Sequence, residues 1–307
     1  MVPTMEAQPL RRSLRLTRPL DLGLTFRGLR NGQADPTMRI AASTLLRATR
    51  NPDGAVTLAV RVEGMREAGA EAWGPGAERA LEDLPALLGE EDDDSGFAPR
   101  HRAVADLRVR LRGLRLYRTG AVFEALFPTV LAQRVTSGEA RSAVVRLSHL
   151  LGEPAPGPYG LRLPPLPARL AALPSWDYHR LGVERQRADT LKRCARVAAR
   201  LEEAAAMPPE AARARLRLVP GVGPWTAAEV AITALGDADA VPVGDYHLPH
   251  VVSWALAGEP RGSDERMLDL LEPYRGHRAR VLRLLLVGGV HQPRFGPRRP
   301  LRRLAAI

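Results

Sequence analysis

One stretch of the sequence decides the fold: residues 218–227 read LVPGVGPWTA. A helical pattern ends at Leu218, and Pro224 stands where the first turn of a new helix accepts proline. Between them, Gly221 and Gly223 allow a tight turn and a close approach of the backbone to a partner. The second helix would present free N–H groups and a positive dipole end to an anion such as a phosphate. A tight helical hairpin without any ligand is the alternative.

A second informative segment, GDYHL, occupies residues 244–248. Asp245 stands at the apparent N-cap of a helix predicted to begin at Tyr246, and aspartate is among the best N-caps, so a purely structural role stays open. In the functional interpretation, backbone N–H groups and the helix dipole hold the carboxylate ionised. An ionised carboxylate in a cleft can stabilise a positively charged sugar transition state or orient water toward it.

The composition narrows the class of protein. The 307 residues carry a net charge of +11, and of the 45 lysines and arginines only Lys192 is a lysine. An arginine-rich positive surface indicates phosphate or nucleic acid as the partner, with genomic base composition as the alternative explanation of the arginine excess. A single cysteine, Cys194, excludes a disulfide framework, a CxxC zinc site and a four-cysteine iron–sulfur cluster. No apolar run is long enough to span a membrane.

The pattern along the chain predicts a mainly α protein with an α+β N-terminal domain. Alternating runs at residues 20–24, 38–46 and 56–62, with turn signals at 30–32 and 51–54, suit strands joined by β-hairpins or loops in residues 1–98, and a short helix is predicted over 77–88. Residues 90–96 form an acidic linker. A helical region is predicted over 99–290, with an amphipathic helix at 185–206 and the hairpin at about 216–226. A basic tail covers 291–307.

The hairpin and Asp245 lie about twenty residues apart, and further motifs accompany them. They are Phe123-Glu124-Ala125-Leu126, Leu131-Ala132-Gln133, Gly182-Val183-Glu184-Arg185-Gln186-Arg187-Ala188, Pro220-Gly221-Val222-Gly223-Pro224-Trp225-Thr226-Ala227-Ala228 and Ala234-Leu235-Gly236-Asp237. Together, over residues 120–287, they resemble the helix–hairpin–helix (HhH-GPD) DNA glycosylases, and within them the DNA-3-methyladenine glycosylase II family. The resemblance implies an all-helical glycosylase core preceded by a small antiparallel-sheet domain.

The resemblance also implies an activity: the enzyme flips an alkylated purine out of duplex DNA and hydrolyses its N-glycosidic bond, which initiates base excision repair. Asp245 would be the catalytic carboxylate, in a site with one carboxylate rather than a pair. The implied base pocket contains Trp225, Tyr246, Glu229 and His277. A core tryptophan is the alternative for Trp225. The DNA-binding hairpin would use Pro220, Gly221, Val222, Gly223 and Thr226.

Several residues depart from the family pattern. Glu229 and His277 replace aromatic residues of related enzymes, which indicates a narrower or different range of bases. The resemblance implies a DNA wedge at Gln133 and Arg134, with Arg134 following Gln133 where an apolar residue is usual. Related bifunctional enzymes use a hairpin lysine as a Schiff-base nucleophile, whereas this chain has Trp225 there, so no β-lyase activity is expected.

The resemblance implies no cofactor, apart from a monovalent cation at the backbone of Leu218, Pro220 and Gly223. His247 and His250 lack a third ligand nearby, so they are not expected to bind zinc. The expected partner is double-stranded DNA with a damaged base, and the expected protein is a cytoplasmic, nucleoid-associated monomer. Two alternatives remain at this stage: a glycosylase for another lesion class, and a non-catalytic helix–hairpin–helix DNA-binding protein.

Overall fold

A five-stranded antiparallel sheet forms the N-terminal part of the molecule. The structure, a computed structural model, describes residues 8–293. The strands are β1 (Leu10–Arg15), β2 (Met38–Ile40), β3 (Thr44–Asn51), β4 (Gly54–Glu63) and β5 (Glu67–Trp73). They pair in the order β1-β5-β4-β3-β2. A mainly helical chain with an antiparallel sheet was the expectation, and it is confirmed.

The turn signal at residues 51–54 closes the hairpin between β3 and β4. Asn51 pairs with Gly54 across a two-residue loop of Pro52 and Asp53. Gly54 has a φ of +132°, a conformation that L side chains rarely adopt, which explains the glycine. The hairpin fixes the register of β4, whose inward-facing valines and leucine are buried. They are Val56, Leu58, Val60 and Val62.

The run at residues 20–24 does not form a strand. Its second half instead begins a short helix, α1 (Leu22–Phe26). Asp21 Oδ1 accepts a hydrogen bond from the Leu24 N–H at 2.8 Å and so caps the start of this helix. Leu22 and Phe26 of this helix are fully buried in the hydrophobic cluster behind the sheet. The apolar spacing of so short a run suits either a strand or one helical turn, and packing decides between them.

The remaining helices cover most of the chain after the sheet. They are α2 (Ala77–Glu82), α3 (Leu84–Leu87), α4 (Arg102–Arg110), α5 (Val122–Leu131), α6 (Ser137–Leu151), α7 (Pro167–Ala172), α8 (Ser175–Arg180), α9 (Arg185–Arg196), α10 (Ala198–Glu202), α11 (Pro209–Arg217), α12 (Pro224–Val230), α13 (Leu248–Ala257), α14 (Asp264–Leu271) and α15 (Arg278–Val287). A π-helical turn, Ala231–Leu235, continues α12, and 3₁₀ turns follow α10 and α14.

Two predicted helices are broken in the structure. The helix expected over residues 77–88 splits into α2 and α3, because Pro85 lacks an N–H and is accommodated only in the first turn of α3. The helix expected over 185–206 splits at Val197, which has a φ of −115° and ψ of 17°. Nothing in the local sequence pattern explains the second break.

The helices pack into two groups rather than one region. Helices α5, α6, α9, α11 and α12 share one hydrophobic cluster. Helix α4 packs with α13, α14 and α15 in another cluster. The chain therefore leaves the second group after α4, builds the first group, and returns at α13. The segment from α12 to α13 consequently joins the two groups, and the candidate site lies on it.

The acidic segment over residues 90–96, which the sequence predicts to be a linker, is fastened to the rest of the molecule by ion pairs. The buried Asp92 carboxylate accepts hydrogen bonds from both terminal nitrogens of Arg280, at 2.9 and 2.6 Å. It also accepts one from the Leu116 N–H at 3.1 Å. Glu90 pairs with the buried Arg115. Burial alone would raise the pKa of Asp92, but the hydrogen bonds and charge of Arg280 outweigh it and lower the pKa. A run of acidic residues is exposed to solvent only when no arginine or lysine side chains pack against it.

The basic tail predicted for residues 291–307 lies almost wholly outside the described residues, which end at 293. Within residues 8–293, no helix has the length and apolar character needed to cross a membrane.

Candidate active site

The hairpin predicted from the sequence connects α11 to α12. Leu218 caps α11 and is 75% exposed, and Gly223 precedes α12 in an extended conformation. Gly221 has a φ of +99°, and a Cβ at this position would overlap the hydroxyl of Thr190 on α9. The glycine is thus required twice, by the backbone conformation and by the close approach of a neighbouring helix.

Two side chains hold the hairpin from behind. Gln133 Nε2, just after α5, donates to the Gly221 carbonyl at 3.0 Å and to Thr226 Oγ1 at 2.9 Å. Arg193 Nε, on α9, donates to the Pro220 carbonyl at 3.0 Å. The hairpin is therefore a braced loop rather than a flexible one. Neither long-range bond was predicted from the sequence, since neither partner is close to the hairpin in the chain.

The structure separates the two residues predicted to form the wedge. Gln133 is bound to the hairpin, so its amide is not available as a wedge in this conformation. Arg134 is exposed and has a φ of +57°, an uncommon conformation for a residue other than glycine. Such strain is characteristic of functional positions. The structure leaves Arg134 as the wedge candidate.

Asp245 accepts three hydrogen bonds. The N–H groups of His247 and Leu248 donate to Oδ1 at 2.7 and 2.9 Å, and Trp225 Nε1 donates to Oδ2 at 2.9 Å. Helix α13 begins at Leu248, not at Tyr246 as predicted, because Pro249 belongs in the first helical turn. The capping bonds predicted for Asp245 are nevertheless formed. The Trp225 bond joins the hairpin helix to the loop before α13, across the two helical groups.

Trp225 and Glu229 lie one turn apart on α12, so they project from the same face of the helix. Both are partly buried. Burial raises the pKa of Glu229 to about 7, the negative charge of Asp245 adds to the rise, and the charge of Arg283 opposes it. Glu229, which the sequence placed in the base pocket, is thus a second carboxyl group close enough to Asp245 for the two charges to interact. Arg283, on α15, is a neighbour that sequence reasoning missed.

Two predicted pocket residues make their ring contacts with residues other than Trp225. Tyr246 is 81% exposed, and its ring meets the edges of His247 and His250 rather than the Trp225 indole. His277 packs against Phe97 with ring centroids 5.6 Å apart, and its Nδ1 faces Arg280 Nε at 3.3 Å. Their predicted positions came from family spacing, which does not specify side-chain direction.

The hairpin fits a monovalent cation poorly. A cation at the Pro220 carbonyl would lie beside the positively charged Arg193 guanidinium, whose Nε donates to that carbonyl at 3.0 Å, and the two charges would repel each other. No chemical step described below depends on such an ion.

Other cationic side chains also have specific structural partners. Lys192 Nζ donates to the Leu173 carbonyl at 3.0 Å. Arg187, one of the basic residues in the sequence motifs, is buried and donates to the Leu131 carbonyl at 2.6 Å, so it serves as an internal brace.

The architecture, with a braced hairpin followed by an aspartate at the start of a later helix, is similar to that of solved DNA glycosylases. A 3-methyladenine DNA glycosylase from Archaeoglobus fulgidus has a similar structure, with a TM-score of 0.75 at 19% identity over 90% of this chain and 97% of that one. An 8-oxoguanine glycosylase/lyase from Clostridium acetobutylicum, in complex with double-stranded DNA, gives 0.70 at 15% identity over 92% and 98%.

Sequence comparison also finds a DNA repair enzyme. The chain is 31% identical over 169 residues to a probable bifunctional transcriptional activator/DNA repair enzyme AlkA of Mycobacterium tuberculosis. The match includes 53% of this chain and 34% of the relative, so the chain spans about a third of the length of the curated relatives it matches. No protein-family model matches. The resemblance to helix–hairpin–helix DNA glycosylases, including 3-methyladenine glycosylases, is confirmed.

Proposed function

We propose that this protein is a DNA glycosylase that removes alkylated purines from double-stranded DNA by hydrolysing the N-glycosidic bond. The observation that carries the proposal is the Asp245 carboxylate, held between the start of α13 and the Trp225 indole. All three of its hydrogen bonds are donated to it, which orients both oxygens. A fixed negative charge at the junction of two helical groups is suited to a sugar that becomes positively charged.

The reaction needs few groups from the protein. An alkylated purine such as 3-methyladenine already carries a positive charge, so it leaves readily as a neutral base. As the bond from C1′ to the base breaks, the Asp245 carboxylate stabilises the sugar cation, and water then attacks C1′. The Trp225 indole, partly buried beside Asp245, offers a face on which a cationic base can stack.

The remaining elements serve DNA binding. The hairpin over residues 220–223 would direct the backbone N–H groups of Gly221 and Gly223 at a phosphate, with Thr226 and Gln133 bracing it. Arg134 would fill the space of the flipped base, since a guanidinium can stack between bases. Lys192 Nζ donates to the carbonyl of Leu173, directly after α7, which supports hydrolysis without a lysine nucleophile.

The test is to incubate the protein with duplex DNA methylated by dimethyl sulfate and to identify the released bases by mass spectrometry. We expect 3-methyladenine and 7-methylguanine, and abasic DNA without strand cleavage. Asp245→Asn should lower release about 100-fold or more while DNA binding persists. Asp269→Asn, on the exposed surface of α14, is the matched control and should behave as wild type.

Release of neither base would contradict the proposal and favour a non-catalytic DNA-binding protein. Strand cleavage at abasic sites, with a protein–DNA adduct trapped by borohydride, would contradict only the monofunctional assignment.

A further inference from the structure

Glu229 forms no hydrogen bond with any of residues 8–293, although it is partly buried. Its neighbours on α12 are alanine and valine residues, and the charged groups that act on it electrostatically are Asp245, before α13, and Arg283, on α15. Burying a polar group without a partner costs free energy, so such a group at a site is a candidate for contact with a ligand. The unpartnered carboxyl lies on the same helix face as Trp225, whose indole is bonded to Asp245.

We propose that Glu229 is a second catalytic residue of this site: its protonated carboxyl donates a proton to an uncharged damaged purine as that base leaves. The inference rests on the proposed glycosylase function and extends it from cationic, alkylated bases to uncharged ones such as hypoxanthine. It follows from the juxtaposition of an unpartnered carboxyl, an aromatic wall and an anchored carboxylate.

The two carboxyl groups have environments that separate their roles. Asp245 accepts three hydrogen bonds, whereas Glu229 accepts none and is desolvated beside a negative charge. Two carboxylates that share a site do not both ionise readily, so the less stabilised one keeps its proton. Burial and the charge of Asp245 place the pKa of Glu229 at about 7, close to the value at which a general acid works best at neutral pH.

The chemistry decides which substrates need this proton. A purine alkylated on a ring nitrogen is already cationic and departs as a neutral base. An uncharged purine would depart as an anion unless a ring nitrogen is protonated as the bond breaks. General acid catalysis contributes about 100-fold to 10,000-fold in such cases. A proton donor at Glu229 is therefore superfluous for the first class and decisive for the second.

The step balances without any co-reactant besides water. When the bond between C1′ and N9 breaks, its electron pair goes to the base, and the Glu229 proton is transferred to a ring nitrogen of that base. Asp245 stabilises the sugar cation. Water then forms the new C1′–O bond, and its proton returns to the Glu229 carboxylate. The products are the free base and an abasic site.

The test compares single-turnover release of hypoxanthine from a defined duplex with release of 7-methylguanine from methylated DNA, between pH 6 and 9. For wild type, we expect hypoxanthine release to fall about tenfold per pH unit above pH 7, with no such fall for 7-methylguanine. Glu229→Gln should slow hypoxanthine release about 100-fold more than 7-methylguanine release, and should abolish the fall with pH. Glu78→Gln, on the exposed surface of α2, is the control.

Equal losses on both substrates in Glu229→Gln, or a wild-type hypoxanthine rate independent of pH, would overturn the inference. The pH profile is measured on the wild-type protein, so the inference can still be tested if Glu229→Gln folds poorly. Release of 7-methylguanine without hypoxanthine would overturn this inference alone, whereas release of neither base would overturn the proposed function as well.

Discussion

Arg134 combines a left-handed backbone conformation with an exposed guanidinium, directly after a residue that is bound to the hairpin. For an L residue this conformation costs about 1–2 kcal/mol. If stability were the only requirement, glycine would be preferred at this position, because it adopts a positive φ without strain. The side chain therefore has a use that outweighs its backbone strain, which agrees with a wedge that enters DNA.

Replacing Arg134 separates these two properties. Arg134→Gly should raise the free energy of unfolding by about 1 kcal/mol, because glycine adopts the conformation without strain. Base release should nevertheless fall, with reduced flipping measured by 2-aminopurine fluorescence. Arg134→Ala, which removes the side chain but keeps the strain, is the matched control for the backbone. Unchanged flipping and base release in both variants would exclude the wedge role.

At the same scale, Trp225 and Asp245 were assigned to one site only through a resemblance to known glycosylases, and the hydrogen bond between them was not predicted. Local pattern alone left each residue with a structural alternative, a core tryptophan and an N-cap. The positions of Gln133, Tyr246 and His277 could not be predicted, since the direction of a side chain depends on packing between segments far apart in the chain. Arg283 gave no local signal at all, being one arginine among many.

At the scale of elements, the hairpin is determined by contacts with α5 and α9 as much as by its own glycines. Gln133 and Arg193 bond to its carbonyls, and Thr190 leaves no space for a Cβ at residue 221. The sequence predicted the turn and the helix start at Pro224 correctly, because glycine and proline have strong local preferences. The bracing helices were beyond such reasoning.

A pair of glycine substitutions measures that bracing. Gly221→Ala should lower the free energy of unfolding by about 2–3 kcal/mol and weaken DNA binding, because of the positive φ and the overlap with Thr190. Gly223→Ala introduces a Cβ with no atom within 4 Å, at a φ of −89°, and should cost less than about 1 kcal/mol. Chemical denaturation and fluorescence anisotropy with duplex DNA check both. Similar losses in the two variants would contradict the close-approach argument.

At the scale of the whole molecule, Asp92 connects three distant parts of the chain. It bonds to Arg280 on α15 and to the backbone of Leu116, and it pairs with Arg18 near the N-terminus at 3.4 Å. The sequence suggested a solvated linker here, because charge patterning along the chain does not show which cations fold against it. The net charge of +11 likewise does not distinguish arginines that face DNA from those that brace the interior.

Asp92→Asn should lower the free energy of unfolding at pH 7 by about 3 kcal/mol, because Arg280 loses its buried partner. The lowered pKa of Asp92 means that its contribution is present above the carboxyl's ordinary pKa of 3.8 and is lost as the pH falls through the lower folded value. The difference between wild type and variant should thus shrink toward pH 3 in urea denaturation. Asp93→Asn, at the exposed neighbour, should show a much smaller loss. A difference independent of pH would contradict the role of the ion pair.

The Asp92 contact also has a consequence for the order in which the protein is made. Ribosomes release Leu116 long before Arg280, and N-terminal parts of a chain generally fold first. The sheet and its helices can therefore pack while Asp92 still lacks its strongest partner. Helix α15, which supplies both Arg280 and Arg283, is synthesised after the hairpin and after Asp245. The charge environment of the candidate site is consequently completed only after the hairpin has been made, so a chain that stopped before α15 would hold the hairpin without a complete site.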